Sequence, residues 1–140
     1  MLYLDTSLLV AALTNEANTE RIQQWLGGQD PDTLAISEWV ATEFSAALSI
    51  KLRVGDLPLS ARDDALAAFE RLRGENLTVL PISGLHFRLA AHLADQHALG
   101  LRAGDALHLA VCLDYRALLN TLDRRLAEAG APLGVATAIL

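Results

Sequence analysis

Short apolar runs alternate along the chain with longer segments of helical apolar spacing, and this alternation predicts the elements. Leu2-Tyr3-Leu4 is a brief apolar run ending at Asp5, the pattern of a buried strand, and Thr6 to Leu13 continues it as a helical apolar stretch. Polar Thr14 to Thr19 interrupts, then Glu20 to Leu26 is again helical and stops at Gly27-Gly28. Gln29 to Asp32 reads as a loop and Leu34-Ala35-Ile36 as a second strand. Ser37 is placed to cap a helix running to about Lys51, with Glu38 in its first turn. Val54 to Leu59, with Gly55 and Pro58, is a connection, and Ser60 to Asp63 has the form of a capping box opening a helix to about Glu75. Leu77 to Leu80 is a third strand, and Ser83 caps a helix to about His97, stopped by Gly100. Ala103 to Tyr115 is a helix, Ala117 to Thr121 a fourth strand, Arg124 to Ala129 a short helix and Val135 to Ile139 a last strand. Strands that alternate with helices indicate an α/β domain with a mostly parallel central sheet. No repeat, low-complexity tract or linker divides residues 1–140, so one domain is expected.

Composition narrows the function classes. With 52% hydrophobic and 20% charged residues there is material for a core, which excludes wholesale disorder. The longest unbroken apolar run, Leu8 to Leu13, is six residues, so no helical membrane span is expected. No Lys or Arg precedes Arg21 and Asp5 comes early, which predicts no secretory signal. One cysteine, Cys112, set in a helix among Ala110, Val111 and Leu113, fits inert core and a reduced cytoplasm. A net charge of -6 argues against a general phosphate-backbone binder, yet leaves room for an acidic site that meets nucleic acid through metal ions.

In a parallel α/β sheet, ligands bind beyond the carboxyl ends of the strands, at the switch in strand order. Asp5, followed two residues on by Ser7, ends the first strand, and Thr121 and Asp123 end the fourth. Asp105 opens the helix Gly104-Asp105-Ala106-Leu107-His108. Each acid has a structural alternative, since carboxylates near helix N-termini also cap free N–H groups. Glu43 lies four residues from both Trp39 and Ala47, at the edge of the stripe that includes Val40, Phe44 and Leu48. It must either reach solvent past its small neighbours or lean into the same crevice. Two carboxylates ~4 Å apart repel by about 4 kcal/mol at an effective dielectric near 20, so a convergent cluster demands a proton or a cation. Oxygen-only donors select Mg²⁺ or Mn²⁺ over Zn²⁺, and such ions serve phosphodiester hydrolysis.

Taken in order, Tyr3-Leu4-Asp5-Thr6-Ser7, Glu43, Gly104-Asp105-Ala106-Leu107-His108-Leu109-Ala110 and Thr121-Leu122-Asp123 resemble the PIN domain. The chain length and the close from Leu126 to Val135 are most similar to VapC-type toxins, the ribonuclease halves of bacterial toxin–antitoxin pairs. The resemblance implies a three-layer PIN-like α/β domain whose mostly parallel sheet has four to five strands flanked by helices. It implies a Mg²⁺- or Mn²⁺-dependent endoribonuclease with Asp5, Glu43, Asp105 and Asp123 as its acidic quartet. Asp5 and Asp105 would then be direct metal ligands, and Ser7 and Thr121 the hydroxyls that orient the acids or the water around the ion. It further implies an RNA substrate, a cognate antitoxin, a homodimer and a cytoplasmic setting.

The remaining polar residues carry weaker expectations. His108 shares a helix face with Asp105 and reads as a partly buried helix residue, while His86, His92 and His97 read as solvated. Arg53, Arg102, Arg124 and Arg125 are either solvated or phosphate contacts. Trp39, Leu48, Leu52, Leu57 and Leu59 form more apolar mass than a small domain need cover, which suits an antitoxin's amphipathic segment. Two rivals stand beside the nuclease. A haloacid-dehalogenase-like phosphatase would want a second carboxylate where Ser7 stands and a lysine late in the chain, whereas the one lysine is Lys51. A catalytically silent PIN-like binding module would have no need of four crowded acids.

Overall fold

The computed structural model describes all residues, Met1–Leu140. Five strands form one all-parallel sheet: β1 (Leu2–Leu4), β2 (Leu34–Ser37), β3 (Thr78–Leu80), β4 (Leu118–Thr121) and β5 (Thr137–Ile139), in the order β3-β2-β1-β4-β5. Seven helices connect them: α1 (Thr6–Leu13), α2 (Thr19–Gly27), α3 (Glu38–Val54), α4 (Leu59–Asn76), α5 (Gly84–Ala94), α6 (Ala103–Tyr115) and α7 (Arg124–Gly130). Right-handed crossovers place α1 to α4 on one face and α5 to α7 on the other. The packing agrees, with α1 against α2, α3 and α4, and α5 laid along α6. This is the expected three-layer α/β architecture, with five strands.

Burial explains the strand sequences. Central strands of a parallel sheet are covered on both faces and need continuous apolar runs. Tyr3 and Leu4 of β1 and all four residues of β2 are buried, whereas Thr78 and Ile139 on the edge strands are exposed. On the α1–α4 side the stacked rings of Phe44 and Phe69, 4.5 Å between centroids, tie α3 to α4.

Several local expectations are revised. Ser37 does stand at the N-cap of α3, but its side chain makes no cap bond, being spent on Tyr3 instead. Helix α4 starts at Leu59, one residue before the expected box, with Pro58 as an extended N-cap whose ring sets the turn into the helix without a side-chain bond. The helix after Ser83 ends at Ala94, and a 3₁₀ turn (His97–Leu99) leads to Gly100 at φ +61. Leu48 and Leu57 belong to the core, Trp39 packs against it, and Leu52 is half-buried. The apolar surface there consists of Leu59, 58% exposed, with Ile50 and Val54. No helix is long and apolar enough to cross a membrane.

Gly130 marks where α7 meets β5. A Cβ at this position would collide with the Thr137 methyl and come within 3.0 Å of the Val135 carbonyl. Its helical φ of −65 would otherwise favour alanine. Gly130→Ala is therefore expected to lower unfolding free energy by about 1–3 kcal/mol in urea titrations, the usual cost of overpacking. A gain in stability would show that β5 yields freely.

Candidate active site

Chain order leaves β1 for β2 on one side of the sheet and returns to β4 on the other, so the switch in strand order lies between β1 and β4. Asp5 stands at the carboxyl end of β1, its N–H donating to the Asn120 carbonyl of β4 at 3.2 Å. Its carboxylate is only 4% exposed and is held on every side. Ser7 Oγ donates to Oδ1 and Thr121 Oγ1 to Oδ2, both at 2.6 Å, and the Leu8 N–H donates to Oδ1 at 3.2 Å. The hydroxyls are themselves fixed, as Ser7 Oγ accepts from Leu122 N–H and Thr121 Oγ1 from Asp123 N–H, each at 2.9 Å. Burial nonetheless dominates and pushes the Asp5 carboxyl above its ordinary range, against the pull of His108 and the three donors.

Glu43 projects from the middle of α3 and is treated differently. Its Oε2 accepts from Thr6 Oγ1 and bonds His108 Nε2, both at 2.6 Å. Burial pushes this carboxyl up, but the bond and charge of His108, with the Thr6 bond, outweigh it and hold the group below its ordinary value. The other oxygen, Oε1, lies 2.5 Å from where a Cβ on Gly104 would sit, so only glycine lets the start of α6 approach this closely. The buried indole N–H of Trp39 lines the same space, too poorly aligned for a hydrogen bond but adding to the pull that holds Glu43 low.

Asp105 and Asp123 both serve helix starts. Asp105 Oδ2 accepts from Arg102 N–H at 3.2 Å. Asp123, the N-cap of α7, accepts on Oδ1 from Arg125 N–H at 2.8 Å and Leu126 N–H at 3.2 Å. Each cap uses one oxygen of its carboxylate. Asp123 is exposed and, with Thr6, Ser7 and Glu16, lines an open groove of about 460 Å³.

The structure thus joins Asp5, Ser7 and Thr121 directly, and Glu43, Thr6 and His108 directly. The Asp123 backbone N–H connects to Asp5 through Thr121, and Glu43 Oε1 approaches Gly104, the residue before Asp105. None of the four acids pairs with Lys or Arg. No three Asp, Glu, His or Cys side chains gather closely enough to hold an ion among themselves. The donor chemistry nevertheless fits a hard divalent cation: the free donors are carboxylate oxygens, and Mg²⁺ takes one or two carboxylates while keeping several waters.

Two histidines depart from expectation. His108 is fully buried and bonds Tyr3 Oη through Nδ1 at 2.9 Å, and Tyr3 Oη in turn bonds Ser37 Oγ at 2.7 Å. His86 is also buried, its Nδ1 accepting from Ser83 N–H at 2.9 Å and its Nε2 3.1 Å from Asp114. The signal for His108, Tyr3 and Ser37 was a polar atom inside an apolar run, since buried polar groups require partners. His92 and His97 are exposed, as are Arg53, Arg102, Arg124 and Arg125. Cys112 is buried, and desolvation pushes its thiol far up, as an inert core residue requires.

A family model described as PIN domain matches residues 2–132. Among curated proteins no sequence match is found. Among the solved structures that share the fold are three from bacterial pathogens. The VapC20 toxin of Mycobacterium tuberculosis, described as cleaving the sarcin–ricin loop, aligns with a TM-score of 0.75 at 17% identity, over 93% of this chain and 95% of that one. FitAcB from Neisseria gonorrhoeae aligns at 0.71 and 19% identity, over 98% and 96%. VapBC2 from Rickettsia felis, bound to a DNA fragment from its promoter, aligns at 0.68 and 14% identity, over 100% and 99%.

The raised Asp5 carboxyl has a stability consequence. Because the folded chain holds this proton more tightly than the unfolded chain, parent stability falls as pH rises through the window above the ordinary carboxylate value. Asn caps α1 as well as Asp does. In metal-free buffer, Asp5→Asn is therefore expected to melt above the parent at neutral pH, with the gap closing as pH falls through that window. A variant less stable than the parent at every pH would mean that the carboxylate's hydrogen bonds outweigh its burial.

Proposed function

We propose that this protein, which belongs to the PIN-domain family, is a divalent-metal-dependent endoribonuclease and the toxin of a toxin–antitoxin pair. The observation that carries the reading is a buried carboxylate at the switch point of the sheet, accompanied by three further acids with no Lys or Arg partner. Buried or half-buried carboxylates without a basic partner are disposed to take a cation. Asp5 and Asp105 would hold Mg²⁺ or Mn²⁺, assisted by Glu43 and Asp123. When bound, the ion supplies charge neutralisation at the phosphoryl group and activation of water.

The chain's own residues do the rest. Ser7 and Thr121 each lock one oxygen of Asp5, so the carboxylate cannot rotate away from the crevice. Glu43, held below its ordinary value, stays ionised, with its two short bonds both on Oε2 and Oε1 left beside the Trp39 indole. The open groove lined by Thr6, Ser7 and Asp123 would give an RNA strand access to the acids, with exposed Arg124 and Arg125 next along the chain. A phosphatase using Asp5 as nucleophile fits poorly, because the place of its second carboxylate is held by Ser7, already bonded to Asp5.

For the antitoxin, support comes from the depression of about 590 Å³ bounded by Leu13 of α1, Gln23 of α2, Lys51 of α3 and Ala61, Ala65 and Ala68 of α4. An amphipathic helix would lie there, near exposed Leu59. Exposed Leu85 and Phe87 on α5 offer a separate apolar face for a homodimer. The setting would be the cytoplasm.

The test is end-mapped cleavage of purified cellular RNAs. Parent protein with Mn²⁺ is expected to cut at discrete positions, and EDTA to abolish the cuts. Asp5→Asn and Asp105→Asn should lose activity altogether while remaining folded, and Ser7→Ala should lose ~10–100-fold. Activity within a few-fold of the parent in Asp5→Asn, or full activity in EDTA, would defeat the proposal.

A further inference from the structure

His108 is an anomaly of α6. It lies one turn after Asp105 among Ala106, Leu107, Leu109, Ala110 and Val111, all buried, and is itself only 3% exposed. A leucine would fill such a position without any polar atom to satisfy. The imidazole instead has both nitrogens engaged, and its partners come from two other elements, Tyr3 of β1 and Glu43 of α3.

The donors can be assigned from chemistry. An ionised carboxylate only accepts, so His108 Nε2 carries the proton that bonds Glu43 Oε2. Nδ1 bonds the Tyr3 hydroxyl, and Tyr3 Oη bonds Ser37 Oγ. The links run without a break from Ser37 through Tyr3 and His108 to Glu43. Tyr3 also meets the imidazole edge-on at 5.7 Å, which fixes the ring plane. The hydroxyl that would have capped α3 is thus diverted to the far end of this chain.

The consequence falls on one carboxylate. With Thr6 Oγ1 and His108 Nε2 both on Oε2, that oxygen is occupied, and Glu43 cannot turn without breaking two 2.6 Å bonds. Gly104, four residues before His108 and one before Asp105 on the same helix, leaves room for Oε1 at the start of α6. We propose that His108, braced by Tyr3 and Ser37, is a positioning residue that holds Glu43 with Oε2 tied and Oε1 free for the divalent cation. This rests on the metal-dependent reading above and assigns the buried relay a part in it.

Three variants test the assignment. His108→Leu suits the apolar surroundings but removes the bond, His108→Gln places a donating Nε2 at the same reach, and Tyr3→Phe deletes one oxygen. Binding of Mn²⁺ followed by electron paramagnetic resonance is expected to weaken ~10–100-fold in His108→Leu, as for other residues that orient a ligand. His108→Gln should recover to within a few-fold of the parent, and Tyr3→Phe should lie between. In metal-free protein the Trp39 indole N–H resonance, beside Glu43, should shift in His108→Leu and return in His108→Gln. Equal weakening in His108→Leu and His108→Gln, with the indole displaced in both, would reduce His108 to a packing role and overturn the inference. So would parental Mn²⁺ affinity and an unmoved indole in His108→Leu. A parent that binds no Mn²⁺ overturns the metal-dependent reading itself, while the indole still reports whether His108 sets Glu43. If His108→Leu does not fold, Tyr3→Phe decides, parental behaviour in both readouts counting against the relay.

Discussion

A carboxylate at the end of a central strand, cut off from water, can persist only if hydrogen bonds meet both of its oxygens. Asp5 is that group, and much of the crevice follows from satisfying it. Ser7 stands two residues on because the first turn of α1 brings its hydroxyl back to Oδ1, and the Leu8 N–H reaches the same oxygen. Thr121 closes the other side from the neighbouring strand. One side chain thus caps α1, bridges β1 to β4 and defines the switch point, so the site is built into the join between the two halves of the sheet rather than added on a loop.

Glu43 shows the same chemistry resolved the other way. Asp5 receives hydroxyls and one N–H and still rises, because burial exceeds what they return; Glu43, less enclosed and bonded to an imidazole, falls. Environments that drive two nearby carboxyls apart are a recurring arrangement of sites with divided roles. Asp105 and Asp123 add a different lesson. Capping and function are not exclusive, since a carboxylate that caps through one oxygen keeps the other for a ligand, and a helix start is a rigid place from which to present it.

How much of this was legible depends on distance along the chain. The boundaries of β1, α1 and α6 follow from the sequence because each is a local apolar pattern, the first ended by Asp5 and the last opened beside Gly104. The all-parallel sheet follows from the alternation of strands and helices. The relay was not legible, as its links join residues 34, 105 and 65 positions apart. Ser37 looked like a cap because serine before an apolar helix usually is one, and only Tyr3, brought alongside by the parallel pairing of β1 with β2, diverts it. His86 looked solvated because Asp114 meets it only once α5 packs on α6, although its bond to Ser83 is local to the start of α5.

The central claim is that the four acids share one cation-binding crevice, and thermal melts of the parent and Asp123→Asn, each with EDTA and with millimolar Mn²⁺, test it most directly. A cation that binds only the folded chain must raise the melting temperature by mass action. The account predicts a clear Mn²⁺-induced rise for the parent. It also predicts an Asp123→Asn protein at least as stable as the parent in EDTA, with a smaller rise. Four superimposable curves would contradict it, leaving Asp123 a helix cap, which Asn replaces without loss, and the remaining acids without a shared ion.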